Sequence, residues 1–494
     1  MRKQTKVLVA TALLALGASF TSMAAAKTGT WVLEDDGWYC YDKEGEAYED
    51  EFCLSYGKEY YMGDDGLMVT DSWVEYDDAT YYVGSDGSKT INDWRYLVPE
   101  DSDEDEAEWF YFGSKGAMVK SAKKVINGST YYFNSEGYML TGWVDTSIYD
   151  EAESMSDVVV YCDENGARAS KVWVKTWEPG TDEDEAEEDD MNWYWIKAKG
   201  AVQTGRNLDI NGETYFFDKN GVMLTGWVAT VDGKEFTAIG GEGSTAELKD
   251  YTEEDYAVYF CGDSDQGWAK KNKWIKTWKP EEYDKADSDK DQYWYWIAKS
   301  GKVYVPTSSD AAYDVTFVDG SKAEAFETDS NADIAVQKEI NDKTYAFNKN
   351  GEMWSGLVEV NGVNYYFGGS DDGSMKTGSV MIEDEEGAEW KFFFGKKDDK
   401  DNGYTKGAGV TGAASGELYV NGLIQVADGD YDYEQITVDG YNYVVDADGD
   451  IRTAKKEYKD DDDDTYLDTR ESNGVKFTGL DGNKKGSYTG DATK

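Results

Sequence analysis

The 494-residue chain has no histidine. The commonest general base near neutral pH and the commonest zinc ligand are therefore missing. Proline is nearly absent, at 4 residues against 52 glycines, which suits many short hairpins rather than stiff linkers. The 4 cysteines show no zinc-ligand spacing. Basic residues are few: 49 Lys and Arg against 101 Asp and Glu give 49 − 101 = −52. Phosphate repels such a chain, so a general nucleic-acid binder is excluded, and anionic lipid is disfavoured in the same way. After the first 20 residues no apolar run is long enough to cross a bilayer, so no membrane insertion is expected. No GxSxG elbow, phosphate-binding loop or dinucleotide fingerprint occurs. The non-repeat remainder beyond residue 407 is under 90 residues, hyper-acidic and without histidine, so a hydrolase domain is not expected there. The expectation is a protein that is not an enzyme and carries no cofactor and no bound metal.

What is abundant is aromatic. Aromatics make up 15% of the chain, with 38 tyrosines and 18 tryptophans. Rings in such numbers either fill a core or line faces that take sugars and cations. At the N-terminus, Arg2, Lys3 and Lys6 precede an apolar run over 7–20 and the small residues Ala24, Ala25 and Ala26. That is the pattern of a secretory signal peptide, 1–26, too short to span a membrane. It predicts a secreted, extracellular protein held at the cell wall or cell surface. Secretion would permit a bridge between the neighbouring Cys40 and Cys53. Cys162 and Cys261 sit at matching repeat positions and read as small apolar core residues.

The phrase INGETYFFDKNGVMLTGWV (210–228) recurs almost unchanged as INGSTYYFNSEGYMLTGWV (126–144) and again as INDKTYAFNKNGEMWSGLV (340–358). Alternating apolar residues around Asn220-Gly221 predict a β-hairpin turning there. A second phrase begins with tryptophan: WFYFGSKGAM from Trp109, WYWIKAKGAV from Trp193 and WYWIAKSGKV from Trp294. A third is VWVKTWEP from Val172 and KWIKTWKP from Lys273, with DWRYLVPE from Asp93 a weaker relative. The fixed order of phrases predicts three-hairpin blocks near 76–144, 157–228 and 256–358. An acidic insert occupies the same place in each block (100–108, 180–190 and 281–291). A single hairpin cannot bury two apolar faces, whereas stacked hairpins can. The predicted organisation is all-β. Divergent hairpins over 27–75 lead into a solenoid of stacked hairpin repeats over 76–406. A small C-terminal β cap (407–456) and a loose acidic tail (457–494) follow. An insertion over 306–336 has no legible fold. Asp428, Asp430, Asp432 and Asp439 make a poor calcium-loop match, because Tyr433 stands where glycine is required.

The phrase TYFFDKNGVMLTGWV resembles the cell-wall-binding repeats of Gram-positive surface proteins, the family that includes choline-binding modules. It is also similar to the repeats of streptococcal glucan-binding proteins and of clostridial toxin tails. The resemblance covers roughly 37–378. It implies a β-solenoid in which one block makes one superhelical turn, and a ligand held between hairpins by two Trp and a Tyr with Met nearby, through cation–π attraction. Carried over by position, the ligand-binding residues implied are Trp38, Trp109, Trp193 and Trp294 (leading Trp), Trp143 and Trp227 (TGW), Tyr132 and Tyr194, and Met118, Met139 and Met223. Thr130, Thr214 and Thr344 replace the leading Trp elsewhere, and Leu357 replaces the TGW tryptophan in the third block, so those hairpins look more like the sugar-stacking type. The implied partner is cell-wall polysaccharide or teichoic acid, through choline or sugar groups. A lectin-like adhesin for foreign glycans and a ligand-free structural protein stay open beside it, and the oligomeric state is not legible.

Overall fold

The computed structural model describes residues 25–99, 106–147, 159–181, 186–240, 244–263, 265–283, 291–307, 313–318, 328–384, 387–398, 405–427, 433–452, 457–459 and 465–468. The expected signal peptide, most of the acidic inserts and the Asp428–Asp430–Asp432 motif lie outside them. Among the described residues the fold is all-β, with helix confined to single turns at Glu188–Asp190, Leu248–Tyr251 and Pro280–Glu282. Among the described residues no helix is long and apolar enough to cross a membrane. No group of three or more Cys, Asp or Glu side chains among those residues could hold a metal ion.

Two compact units are present: 1–207 with 217–223, and 208–216 with 224–494. The first is a run of two-stranded antiparallel hairpins. Examples are Glu51–Ser55 with Lys58–Met62, Ser72–Tyr76 with Ala79–Val83, Asp93–Leu97 with Glu108–Phe112, and Val172–Thr176 with Asn192–Ile196. The second unit holds the Lys273–Thr277 and Tyr293–Ile297 hairpin and two five-stranded sheets. Part of the 306–336 insertion becomes the strands Tyr313–Val318 and Thr328–Ile340. They pair with each other and complete a sheet with Lys343–Phe347 and Leu357–Val360. The strands Glu457–Lys459 and Thr465–Asp468 pair within the segment expected to be loose.

The hairpin turn is not where the repeated phrase suggested. In the 126–144 copy, Ala122–Ile126 pairs with Ser129–Phe133 across Asn127-Gly128. Both turn residues have positive φ, 49° and 88°, as a two-residue turn matching strand twist requires. Asn211-Gly212 takes the same values, 54° and 81°. The expected turn at Asn220-Gly221 is instead a wider loop. Asp218 Oδ1 accepts from the Asn220 and Val222 N–H groups, and Gly221 alone has positive φ. Beyond it no return strand forms, only the single bridge Phe217↔Met223. Both sites carry Asn-Gly, and only the one flanked directly by strands closes a hairpin.

Successive hairpins are tied by a backbone bond that recurs along each unit. The second residue after each loop donates its N–H to a carbonyl in the preceding hairpin: Met68 to Trp38, Lys89 to Glu59, Met118 to Thr80, Met139 to Trp109, Arg168 to Thr130 and Met223 to Trp193, and in the second unit Met353 to Trp294 and Met375 to Thr344, all at 2.8–2.9 Å. Each such side chain except Met223 then lies over a turn glycine of the next hairpin. At Gly137 and Gly166 an added Cβ would stand 2.8 Å and 2.3 Å from the sulfurs of Met118 and Met139.

All four cysteines are buried free thiols. Cys40 and Cys53 share one core cluster with Met62. Burial pushes the Cys162 thiol up to about 12, and raises Cys40, Cys53 and Cys261 as well. The thiolate is the reactive form. The reduced native protein is therefore expected to release no chromophore from an aromatic disulfide reagent until denaturant exposes all 4 thiols. A stoichiometric native burst would contradict this packing.

Candidate functional site

The TGW tryptophans and their equivalents pack against the neighbouring hairpin. Trp227 is 1% exposed, packs edge-on to Phe260 (5.2 Å) and Tyr295 (4.9 Å), and donates its indole N–H to the Trp278 carbonyl at 2.9 Å. Trp143 does the same with Tyr161, Tyr194 and the Trp177 carbonyl at 2.7 Å. Trp73 donates likewise to Val98 O at 3.1 Å. Each indole satisfies its one donor on the backbone of the neighbouring hairpin, and at Trp227 burial also covers both ring faces, whereas Trp143 and Trp73 stay half-buried. Tyr132 and Tyr194, also expected at the ligand, are 1% and 0% exposed and belong to the core. Burial pushes the Tyr194 hydroxyl well above its ordinary range. Met118 packs under a threonine-led hairpin, with Phe110 and Tyr138.

The leading tryptophans behave differently. Trp38 and Trp109 are 42% and 40% exposed, while Trp193 and Trp294 are half-buried. Each carbonyl receives a methionine N–H, from Met68, Met139, Met223 and Met353 respectively. Each hairpin also carries a second tryptophan on its first strand: Trp31, Trp94, Trp173 and Trp274. Trp94 stands 6.4 Å from Trp109 with planes at 85°, and Trp173 stands 6.3 Å from Trp193 at 90°. The third ring comes from the next hairpin. Trp31 meets Tyr60 at 5.3 Å, Trp94 meets Tyr131 at 5.0 Å, and Trp274 meets Tyr345 at 4.7 Å. Trp173 also stacks on Phe217 at 5.8 Å. At Trp109 a further ring, Tyr96, 59% exposed, leans in at 5.1 Å.

A corner of two tryptophans on paired strands, one tyrosine and one methionine is thus built at Trp31, Trp38, Tyr60 and Met68, and its indoles are near-perpendicular where Trp94 meets Trp109 and Trp173 meets Trp193. It recurs at Trp94, Trp109, Tyr131 and Met139, and at Trp274, Trp294, Tyr345 and Met353. Trp173, Trp193 and Met223 supply the same positions in the middle block. Perpendicular indole faces present two negative π surfaces to one point, the arrangement that attracts an organic cation; the same faces can stack a sugar. Of the residues expected from the sequence, Trp38, Trp109, Trp193, Trp294, Met139 and Met223 fall in corners. Trp31, Trp94, Trp173, Trp274, Tyr60, Tyr131, Tyr345, Met68 and Met353 were missed. The signal was there: each missed tryptophan is the second residue of the strand paired to a Trp-led strand. The Trp294 corner has one further feature. Its indole N–H donates to Asp371 Oδ1 at 3.1 Å, and the same carboxylate accepts from Lys276 at 2.7 Å. These bonds hold the Asp371 carboxyl below its usual range.

Segments 121–153 and 204–236 match one choline-binding repeat family, and 56–88 matches a second. The chain carries choline-binding repeats. The matched choline-binding repeats contain two-residue hairpin turns, at 56–57, 77–78, 127–128 and 211–212. The hairpins with long acidic inserts fall outside the matches. Glucosyltransferase-S of Streptococcus mutans is 27% identical over 219 residues, 41% of this chain and 14% of that protein. A putative endo-beta-N-acetylglucosaminidase of Streptococcus pneumoniae is 27% identical over 138 residues, 28% of this chain and 16% of that one. The matches therefore span under a fifth of these relatives' length. Among solved structures, CbpJ from Streptococcus pneumoniae is matched over 69% of this chain and 99% of that one, at 19% identity and a TM-score of 0.39.

Proposed function

We propose that this is a secreted, non-catalytic wall-attachment protein whose hairpins stack as a solenoid. Its Trp–Trp–Tyr–Met corners hold choline-like groups on cell-surface polysaccharide. The observation that carries the proposal is the corner itself. Two tryptophans on paired strands and a backbone-anchored methionine recur three hairpins apart, with indoles at 85° and 90° in the Trp94–Trp109 and Trp173–Trp193 pairs, and a tyrosine from the next hairpin joins them at Trp31, Trp94 and Trp274. Core packing alone gives no reason to leave Trp38 and Trp109 about two-fifths exposed. The net charge of −52 adds a long-range pull on cations and disfavours bare phosphate polymer. A single exposed corner binds weakly, and several on one polymer supply avidity.

The test is co-sedimentation of the purified protein with Gram-positive wall sacculi, with and without excess choline. The expected result is pelleting that choline reverses. Pelleting indifferent to choline would move the ligand to a sugar stacked on the same indoles, and absence of pelleting would overturn wall attachment.

A further inference from the structure

One hairpin carries the corner in a different chemical form. In the Glu51–Ser55 and Lys58–Met62 hairpin, Phe52 stands where Trp94 stands later, and Glu59 where Trp109 stands. Tyr81 of the next hairpin takes the place of Tyr131. The two ring pairs are alike: Phe52–Tyr81 is 5.2 Å at 66°, and Trp94–Tyr131 is 5.0 Å at 63°. The residue whose N–H bonds the Glu59 carbonyl, where Met139 bonds Trp109, is Lys89. Its ammonium sits 4.6 Å from the Phe52 centroid and 5.2 Å from that of Tyr81, and it pairs with the Glu59 carboxylate. The Lys89 side chain is 8% exposed, and its stem covers the turn glycine Gly116, as Met139 covers Gly166.

We propose that Lys89 is a resident cation: it fills this corner as an internal ligand, and the Glu59–Lys89 pair marks a position that takes no external ligand. The proposal rests on the corners being organic-cation sites and extends it, dividing them into open and self-filled classes. Physically the exchange is coherent. A buried ammonium needs both a counter-charge and desolvated π faces. Glu59 supplies the first, and Phe52 and Tyr81 supply the second. Where tryptophan replaces the carboxylate and methionine replaces the lysine, the counter-charge and the cation leave together and the π faces remain. The same page of chemistry thus shows a primary ammonium seated between rings in the geometry that the Trp94, Trp109 and Tyr131 corner offers to a cation from outside.

Two measurements test it. The first is reductive methylation of the native protein, read by peptide mass. Lys89 is expected to stay unmodified while Lys58, 57% exposed, is fully methylated. Equal rates would overturn the proposal whatever the corners bind. The second is calorimetric titration with choline chloride. The double variant E59W/K89M is expected to bind one more choline per chain than the parent, and W109E/M139K one fewer, each with an unchanged far-ultraviolet spectrum. A parent that binds choline and an E59W/K89M variant that folds without gaining a site would overturn the self-filled class and leave wall attachment standing. A parent that binds no choline, with Lys89 still protected, would instead overturn the cation-site reading on which the proposal rests.

Discussion

Trp227→Ala is expected to destabilise the second unit by about 3–5 kcal/mol, the usual cost of truncating a fully buried large aromatic. The indole is 1% exposed, in one cluster with Ala229, Ile239, Leu248, Val258, Phe260, Ile275 and Tyr295, and its N–H is satisfied by the Trp278 carbonyl at 2.9 Å. Removing it leaves a cavity lined by these groups and takes the indole donor away from the Trp278 carbonyl. Trp227→Phe retains most of the ring volume and loses the donor, so its cost should be smaller, about 1–3 kcal/mol. Near-ultraviolet dichroism melts would show the order parent, Phe, Ala, with the Ala variant melting roughly 10 °C below the parent. An Ala variant melting with the parent would mean that this tryptophan is not core, and would return it to the list of ligand contacts.

Replacing the leading tryptophans should do the opposite. Trp38, Trp109, Trp193 and Trp294 changed together to alanine should leave the fold melting nearly as before and abolish choline-reversible sedimentation. Trp38 and Trp109 are already largely open to solvent, so truncation there leaves little cavity. Each indole is worth about 0.5–2 kcal/mol to a bound cation, or roughly 2- to 30-fold in affinity per corner. A single replacement is muted because the remaining corners still act together; the quadruple loss multiplies through. Trp109→Ala alone, titrated with free choline rather than wall polymer, isolates the single-corner effect. Retention of wall binding by a folded quadruple variant would remove these corners from the function.

The contrast between the two experiments follows from where neighbouring residues point. Adjacent strand residues face opposite sides. Tyr131 and Tyr132 are both tyrosine, and only their placement makes the first a corner wall and the second core. The same holds for Tyr194 beside Trp193. The letters alone supply two aromatic faces and no means of ranking them.

The sequence by itself determined the all-β class, the hairpin repeats, the three-phrase order and the tryptophans that lead the second phrase. It could do so because turn chemistry and period-two alternation are local properties. The tertiary structure alone decided which Asn-Gly closes a hairpin, and that the TGW tryptophans tie one hairpin to the next. It also placed the second indole of each corner on the partner strand. Lys89 shows the reason most clearly. Its partners Phe52, Glu59 and Tyr81 come from separate strands of two hairpins, and no spacing rule joins them. A corner is a meeting of residues from successive hairpins, about 30 positions apart where no insert intervenes and more where one does. Only the stacked backbone brings those distances to a common value.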